Sequence, residues 1–192
     1  MNLPPATPYP MPAASALPGS AHDWALEPER AALLILGMQP RFLSAFPAAA
    51  EPGARLLAHT EALRGAARAR GVPVVFGYAP GTSPGPGDGA PIPRRGDHVI
   101  TYVRENAFLR SHLGRVLAAG DRDQLVICGL FAAGGVLLTA ADARMRGMRP
   151  FVAADAVADT DPDDHALALR WTASRWGVVR TTRRLVEEME NP

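Results

Sequence analysis

The chain contains no lysine; all twenty of its basic residues are arginine. Arginine stays protonated at any working pH, so lysine-type proton transfer and Schiff-base chemistry are excluded. There is a single cysteine, Cys128, which rules out an internal disulfide and fits a reducing, cytoplasmic setting. Net charge is only +1 and the charges are mixed, so neither nucleic acid nor a membrane surface is an expected partner. No apolar run reaches the length of a membrane span. The N-terminal stretch lacks the basic-then-apolar order of a secretory signal, so none is expected. The histidines His22, His59, His98, His112 and His165 show no paired spacing, so no metal site is expected, and nothing points to a cofactor.

What is present suits one globular domain. The chain has 192 residues, 47% of them apolar, enough for a full core. Residues 1–24, with "MNLPPATPYPMPAASALPGS", read as an extended proline-rich arm, and residues 25–192 as the domain. The arm either packs on its own domain or reaches a partner subunit. Short apolar runs alternate with longer amphipathic ones, the pattern of βαβ units. Strands are expected at 31–36, 72–78, 98–102, 124–130, 149–155 and 177–182. Helices are expected at 54–70, 107–118 and 135–146, after Asp161, and at the C-terminus. Asp161 as cap, Pro162 at the first helical position and Asp164 three residues past the cap make a strong helix start. Residues 79–97, dense in Gly and Pro, must be loop, and a loop that long is usually functional or mobile. The fold class is therefore α/β: a doubly wound, six-stranded parallel sheet with helices on both faces.

In such a sheet ligands bind beyond the carboxyl ends of the strands. The first strand, in "LLILGMQPRF", ends at Gly37-Met38-Gln39-Pro40, where chemistry usually needs a carboxylate or a nucleophile. Cys128, inside a strand, reads as core. His165 reads as support for the helix start, and Asp155 and Asp159 as turn formers after the fifth strand.

"AALLILGMQPRFL", "VITYVRENAF" and the run from "DQLVICGLFAAGG" to "GVVRTT" resemble the isochorismatase-like family of the cysteine hydrolase superfamily. They are most similar to members that open the vinyl ether of isochorismate or aminodeoxyisochorismate in phenazine and siderophore biosynthesis. The resemblance implies an isochorismatase fold, a Rossmann-like arrangement, and a homodimer or larger assembly. It also places departures at the functional positions. The family's catalytic aspartate falls on Gly37, its lysine on Tyr102, and the amidase members' cysteine on Gly135. Ala79, Phe131 and Ala133 stand where vinyl-ether-cleaving relatives place Gln, Tyr and His. Gly37 and Ala79 can move no proton, and Tyr102 is a weak acid with an ordinary pKa of about 10.

The resemblance surrounds the old pocket with Gly37, Gln39, Phe42, Tyr78, Ala79, Asn106, Phe108, Phe131, Ala133, Gly134 and Gly135 as candidate ligand-binding residues. Tyr102 and Arg104 are the candidate catalytic residues. Loss of Asp and His side chains would empty volume and the added aromatics would line it, favouring a flatter, less charged ligand. Backbone amides of "GLFAAGG" could hold an anionic or carbonyl oxygen. Three readings follow. A repurposed natural-product enzyme would bind an aromatic or polyene intermediate and promote cyclisation, rearrangement or elimination. A non-catalytic member would act as a binding protein or partner subunit. A true isochorismatase would need a new acid, such as Asp88 or Asp97.

Overall fold

Ala31–Leu36 (β1) is buried at every position, as a strand covered on both faces must be. The computed structural model describes residues 5–47, 49–81 and 89–191. After β1 come Pro40–Leu43 (α1), Gly53–Ala69 (α2), Val74–Tyr78 (β2) and His98–Thr101 (β3). Leu113–Ala119 (α3), Gln124–Leu130 (β4), Leu137–Met145 (α4) and Arg149–Ala158 (β5) follow. Pro162–Trp171 (α5), Val178–Arg180 (β6) and Thr182–Glu190 (α6) complete the chain. The six strands form one parallel sheet in the order β3-β2-β1-β4-β5-β6. That order reverses direction of winding beside β1, so the crevice between the ends of β1 and β4 is the place for a ligand.

Side chains alternating across the sheet feed two cores. Leu33, Ile35, Phe76, Tyr78 and Phe151 pack with Leu56 and Leu63 of α2 and with Leu185 and Met189 of α6. Leu34, Leu36, Tyr102, Ile127 and Val152 pack with Leu113, Val136, Ala140 and Leu169 on the opposite face. Cys128 is fully buried in the first of these cores, and burial pushes its thiol up to about 12. It is a core residue, as expected.

Several boundaries differ from the sequence reading. The helix expected over 107–118 forms only at Leu113–Ala119. Upstream, polar side chains compete with helical hydrogen bonding. Asn106 accepts the Phe108 N–H at 2.9 Å and donates to Asp142 at 2.8 Å, while Thr139 Oγ1 accepts the Ala107 N–H at 3.0 Å. The helix expected from residue 135 begins at Leu137, after a wide turn over Ala132–Val136 in which Gly134 is non-helical. The fifth strand runs on to Ala158, with a register shift between Ile127 and Gly129. Asp155 is therefore a strand residue and not a turn former: its carboxylate accepts the Thr182 N–H at 2.6 Å, tying β5 to α6. The sixth strand ends at Arg180 because Thr181 caps α6 by accepting the Arg184 N–H. Asp161 caps α5 as expected, accepting the Asp163 N–H at 2.7 Å.

The described part of the arm lies along its own domain. Ala6 is buried in the first core and donates its N–H to Ala45, and Thr7 donates to Thr160. Farther along, Ala21 donates to Ala173 and Ser20 Oγ accepts the Val179 N–H. Trp24 stacks on His22 at 4.2 Å with Arg144 over its ring at 5.4 Å.

Candidate functional site

The end of β1 is built around a close backbone approach. Gly37 is buried with φ +63°, and a Cβ on it would lie 2.4 Å from the Leu130 carbonyl oxygen. Gly129 is tighter still: a Cβ there would meet the Leu36 carbonyl at 2.0 Å. Glycine at Gly37 thus lets the ends of β1 and β4 touch. Glycine at this point therefore leaves no open volume, contrary to the expectation from sequence. Gln39, fully buried, turns the chain beyond β1 and accepts the Ala79 N–H at 3.1 Å.

Tyr102 follows β3 and is 5% exposed. Its ring packs where a Cβ on Gly77 would be, and its hydroxyl lies 4.0 Å from the Cβ position of Gly135. That hydroxyl makes no hydrogen bond among the described residues, and burial pushes it up to about 12. Tyr78 is also buried, its hydroxyl unpartnered among the described residues, and burial pushes it too up to about 12. The two tyrosines belong to different cores, so the sheet does not bring them together.

Arg104, in a left-handed conformation with φ 57°, is exposed and makes no hydrogen bond or ion pair among the described residues. Asn106 and Phe108 are engaged with α4 and its surroundings: Asn106 through Asp142, Phe108 beneath the Arg146 guanidinium at 4.6 Å. Phe42 packs edge-on against Phe131 at 5.3 Å. Of the alternative acids, Asp97 is held by Arg68 at 2.6 Å, and Asp88 lies outside the described residues.

The open space at the crevice lies above β4 and β5. A cavity of about 360 Å³ is lined by Glu105, Phe131, Ala133, Gly134, Asp159, Thr160 and Asp164. Phe131, Ala133 and Gly134 were expected at a site. Glu105 and Thr160 carry no reading from sequence, and Asp159 reads there as a turn residue. Glu105 lies directly after Arg104, and its carboxylate covers Gly134, 3.3 Å from the Cβ position. Asp164 was absorbed into the helix-start motif, although the cap is made by Asp161 alone.

Asp159 sits at the back of this cavity, 6% exposed. It accepts the Ala133 N–H at 2.9 Å and the Thr160 N–H at 2.8 Å. Desolvation raises its pKa, and the charges of Asp164 and Glu105 raise it further, against the pull of the two N–H donors. Behind it the arm's Tyr9 hydroxyl accepts the Asp159 N–H at 3.0 Å and lies 3.1 Å from both the Asp159 carbonyl and His165 Nδ1. His165 Nε2–H donates to the Ala154 carbonyl at 3.0 Å, and burial lowers its pKa to about 4. His165 is thus a neutral structural residue, but its ring joins β5 to the arm and does not support the helix start as the sequence suggested. No group of His, Cys, Asp and Glu suited to a metal ion occurs among the described residues.

Comparison with known proteins gives this architecture a family. The isochorismatase domain matches residues 31–184. A probable isochorismatase of Pseudomonas chlororaphis is 35% identical over 206 residues, covering 96% of this chain and 99% of that one. The phenazine biosynthesis protein PhzD1 of Pseudomonas aeruginosa is 35% identical over 207 residues, covering 97% and 99%. Enterobactin synthase component B of Escherichia coli is 33% identical over 207 residues, covering 97% of this chain and 73% of that one. Among solved structures, a cysteine hydrolase from Pseudomonas syringae superposes with a TM-score of 0.76 at 21% identity, over 88% of this chain and 96% of that one. With the winding order, the crevice at β1 and β4 and these matches in agreement, the chain belongs to the isochorismatase family.

Proposed function

We propose that this member does not hydrolyse a vinyl ether and instead binds an aromatic or polyene intermediate of a natural-product pathway. It promotes cyclisation, rearrangement or elimination by holding a reactive conformer, with hydrogen bonds from groups such as Tyr102. Ordering of that kind can supply several kcal/mol with no covalent group involved. The observation that carries the reading is the backbone at Gly37. The resemblance puts the proton-delivering aspartate there, yet φ is positive and a Cβ would strike the Leu130 carbonyl. The end of β1 is built for glycine, so the change is structural and not a single lost side chain. The relatives named for phenazine and enterobactin biosynthesis support the natural-product setting.

A second reading, a non-catalytic binding or partner protein, draws on the burial of Tyr102 and Gln39 against β1, which leaves little space at the old aspartate position. Incubation with isochorismate, with released pyruvate measured by a coupled assay, is expected to give no turnover. Pyruvate formation at an enzymatic rate would overturn both readings. Native mass spectrometry with chorismate- and polyketide-derived aromatics then separates them: a converted product marks the enzyme, an unchanged bound ligand the binding protein.

A further inference from the structure

A cavity of about 600 Å³ lies between the N-terminal arm and α5. It shares no lining residue with the crevice cavity. Tyr9, Pro10, Pro12 and Pro18 of the arm form one wall. Pro162, His165, Ala166, Leu169 and Arg170, at helical spacing along one stripe of α5, form the other. With a rise of about 1.5 Å per residue, the stripe from Pro162 to Arg170 is about 12 Å long.

The way the arm is held keeps this space open. Thr7 and Tyr9 are bonded to Thr160 and Asp159 at one end, Ser20 and Ala21 to Val179 and Ala173 at the other. Between these anchors the Met11 N–H donates to Glu51 at 2.7 Å, and Met11 packs on the first core, whereas α5 packs on the second. Pro10, Pro12 and Pro18 stiffen the span and bring no N–H that could bond to the helix. The polar side chains of the lining are engaged, with one exception. Tyr9 and His165 meet at 3.1 Å, and the other ring nitrogen of His165 donates to Ala154. Arg170 makes no hydrogen bond or ion pair among the described residues, and no acidic side chain lines the cavity. A free helix end does not explain this arginine, because the helical backbone runs on past it to Trp176.

We infer that this cavity binds an apolar monocarboxylic acid. Its body lies along Ala166 and Leu169 beneath the arm's prolines, and its carboxylate sits on Arg170. Water in so apolar a space finds few partners, and an apolar ligand displaces it favourably. A planar guanidinium with no partner of its own takes a carboxylate through two parallel N–H donors. One uncompensated cation matches one anionic group. A neutral ligand forgoes that pair, and an amine meets charge of its own sign.

A charge series on one chain length tests the inference: calorimetric titration of the full chain, at neutral pH, with octanoate, 1-octanol and octylamine. Octanoate is expected to bind about three- to tenfold more tightly than octanol, and octylamine more weakly than either. Arg170→Gln is expected to bring octanoate down to the affinity of octanol and to leave octanol unchanged. The side chain is exposed and unpaired among the described residues, so this variant folds. Ala166→Leu fills the floor of the cavity and is expected to weaken all three probes about tenfold. Leucine suits a helix, and position 166 is partly exposed. An acid preference that survives Arg170→Gln, or equal binding of acid and amine, would overturn the carboxylate assignment. Binding by none of the three, or binding that Ala166→Leu does not touch, would overturn the cavity as the site.

Discussion

At Gly37 and Gly135 the same residue type stands for opposite reasons. The first is required: φ is +63° and a Cβ would lie 2.4 Å from a backbone oxygen that cannot retreat without moving β4. The second is open, since a Cβ there would meet Leu130 O at 3.5 Å and the Tyr102 hydroxyl at 4.0 Å, both ordinary contacts. Gly37→Ala is therefore expected to destabilise the chain by roughly 2–4 kcal/mol, and Gly135→Ala by less than about 1 kcal/mol, in urea unfolding. Equal effects would show that the close approach of β1 and β4 is not needed. The sequence made the absence of a carboxylate at position 37 plain, but its cause lies in a contact with β4, ninety-odd residues away and invisible to local pattern. His165 carries a different consequence. Its folded pKa of about 4 lies below the ordinary 6.5, so between those values the unfolded chain binds the extra proton. Stability must then fall as pH drops through that window and level off below it. The loss is about 2 kcal/mol between pH 7 and pH 5, and His165→Gln should remove most of that slope.

Among the elements, strands were more legible than helices. β1 and β4 match the expected limits, because continuous apolar runs fix a doubly covered strand. The segment 107–112 defeated the helical reading because Asn106 and Ser111 satisfy its backbone locally, and Thr139 does so from α4. Two acids of the crevice cavity were hidden for a related cause: Asp159 and Asp164 sit in stretches with a sufficient local explanation, a turn and a helix start. The arm shows the same limit. Its prolines marked it as extended, but only the structure shows Tyr9 bonded to the strand end that carries Asp159. Tyr9→Phe leaves the Asp159 N–H and the His165 ring without their shared partner, a cost of about 1–3 kcal/mol. Faster hydrogen exchange at Asp159 and Thr160 is the expected sign. Exchange unchanged there would mean the arm only rests on the domain.

For the whole molecule, the alternation of strand and helix led correctly to one parallel sheet, and the sheet's order put the crevice where β1 meets β4. Of the candidate residues around that crevice, Phe131, Ala133 and Gly134 line its open space, Tyr102 and Gly135 lie just behind, and Asn106 and Phe108 turn to α4. Only long-range packing separates those groups, which is why a resemblance could name the neighbourhood without sorting it. The arm spans this end of the molecule and then runs down to Trp24, whose indole is stacked on His22 under the Arg144 guanidinium. Those two contacts give the chain an optical handle. An indole pressed against an imidazole and a guanidinium emits differently from one released to water, so the arm's attachment can be followed by light, without a label.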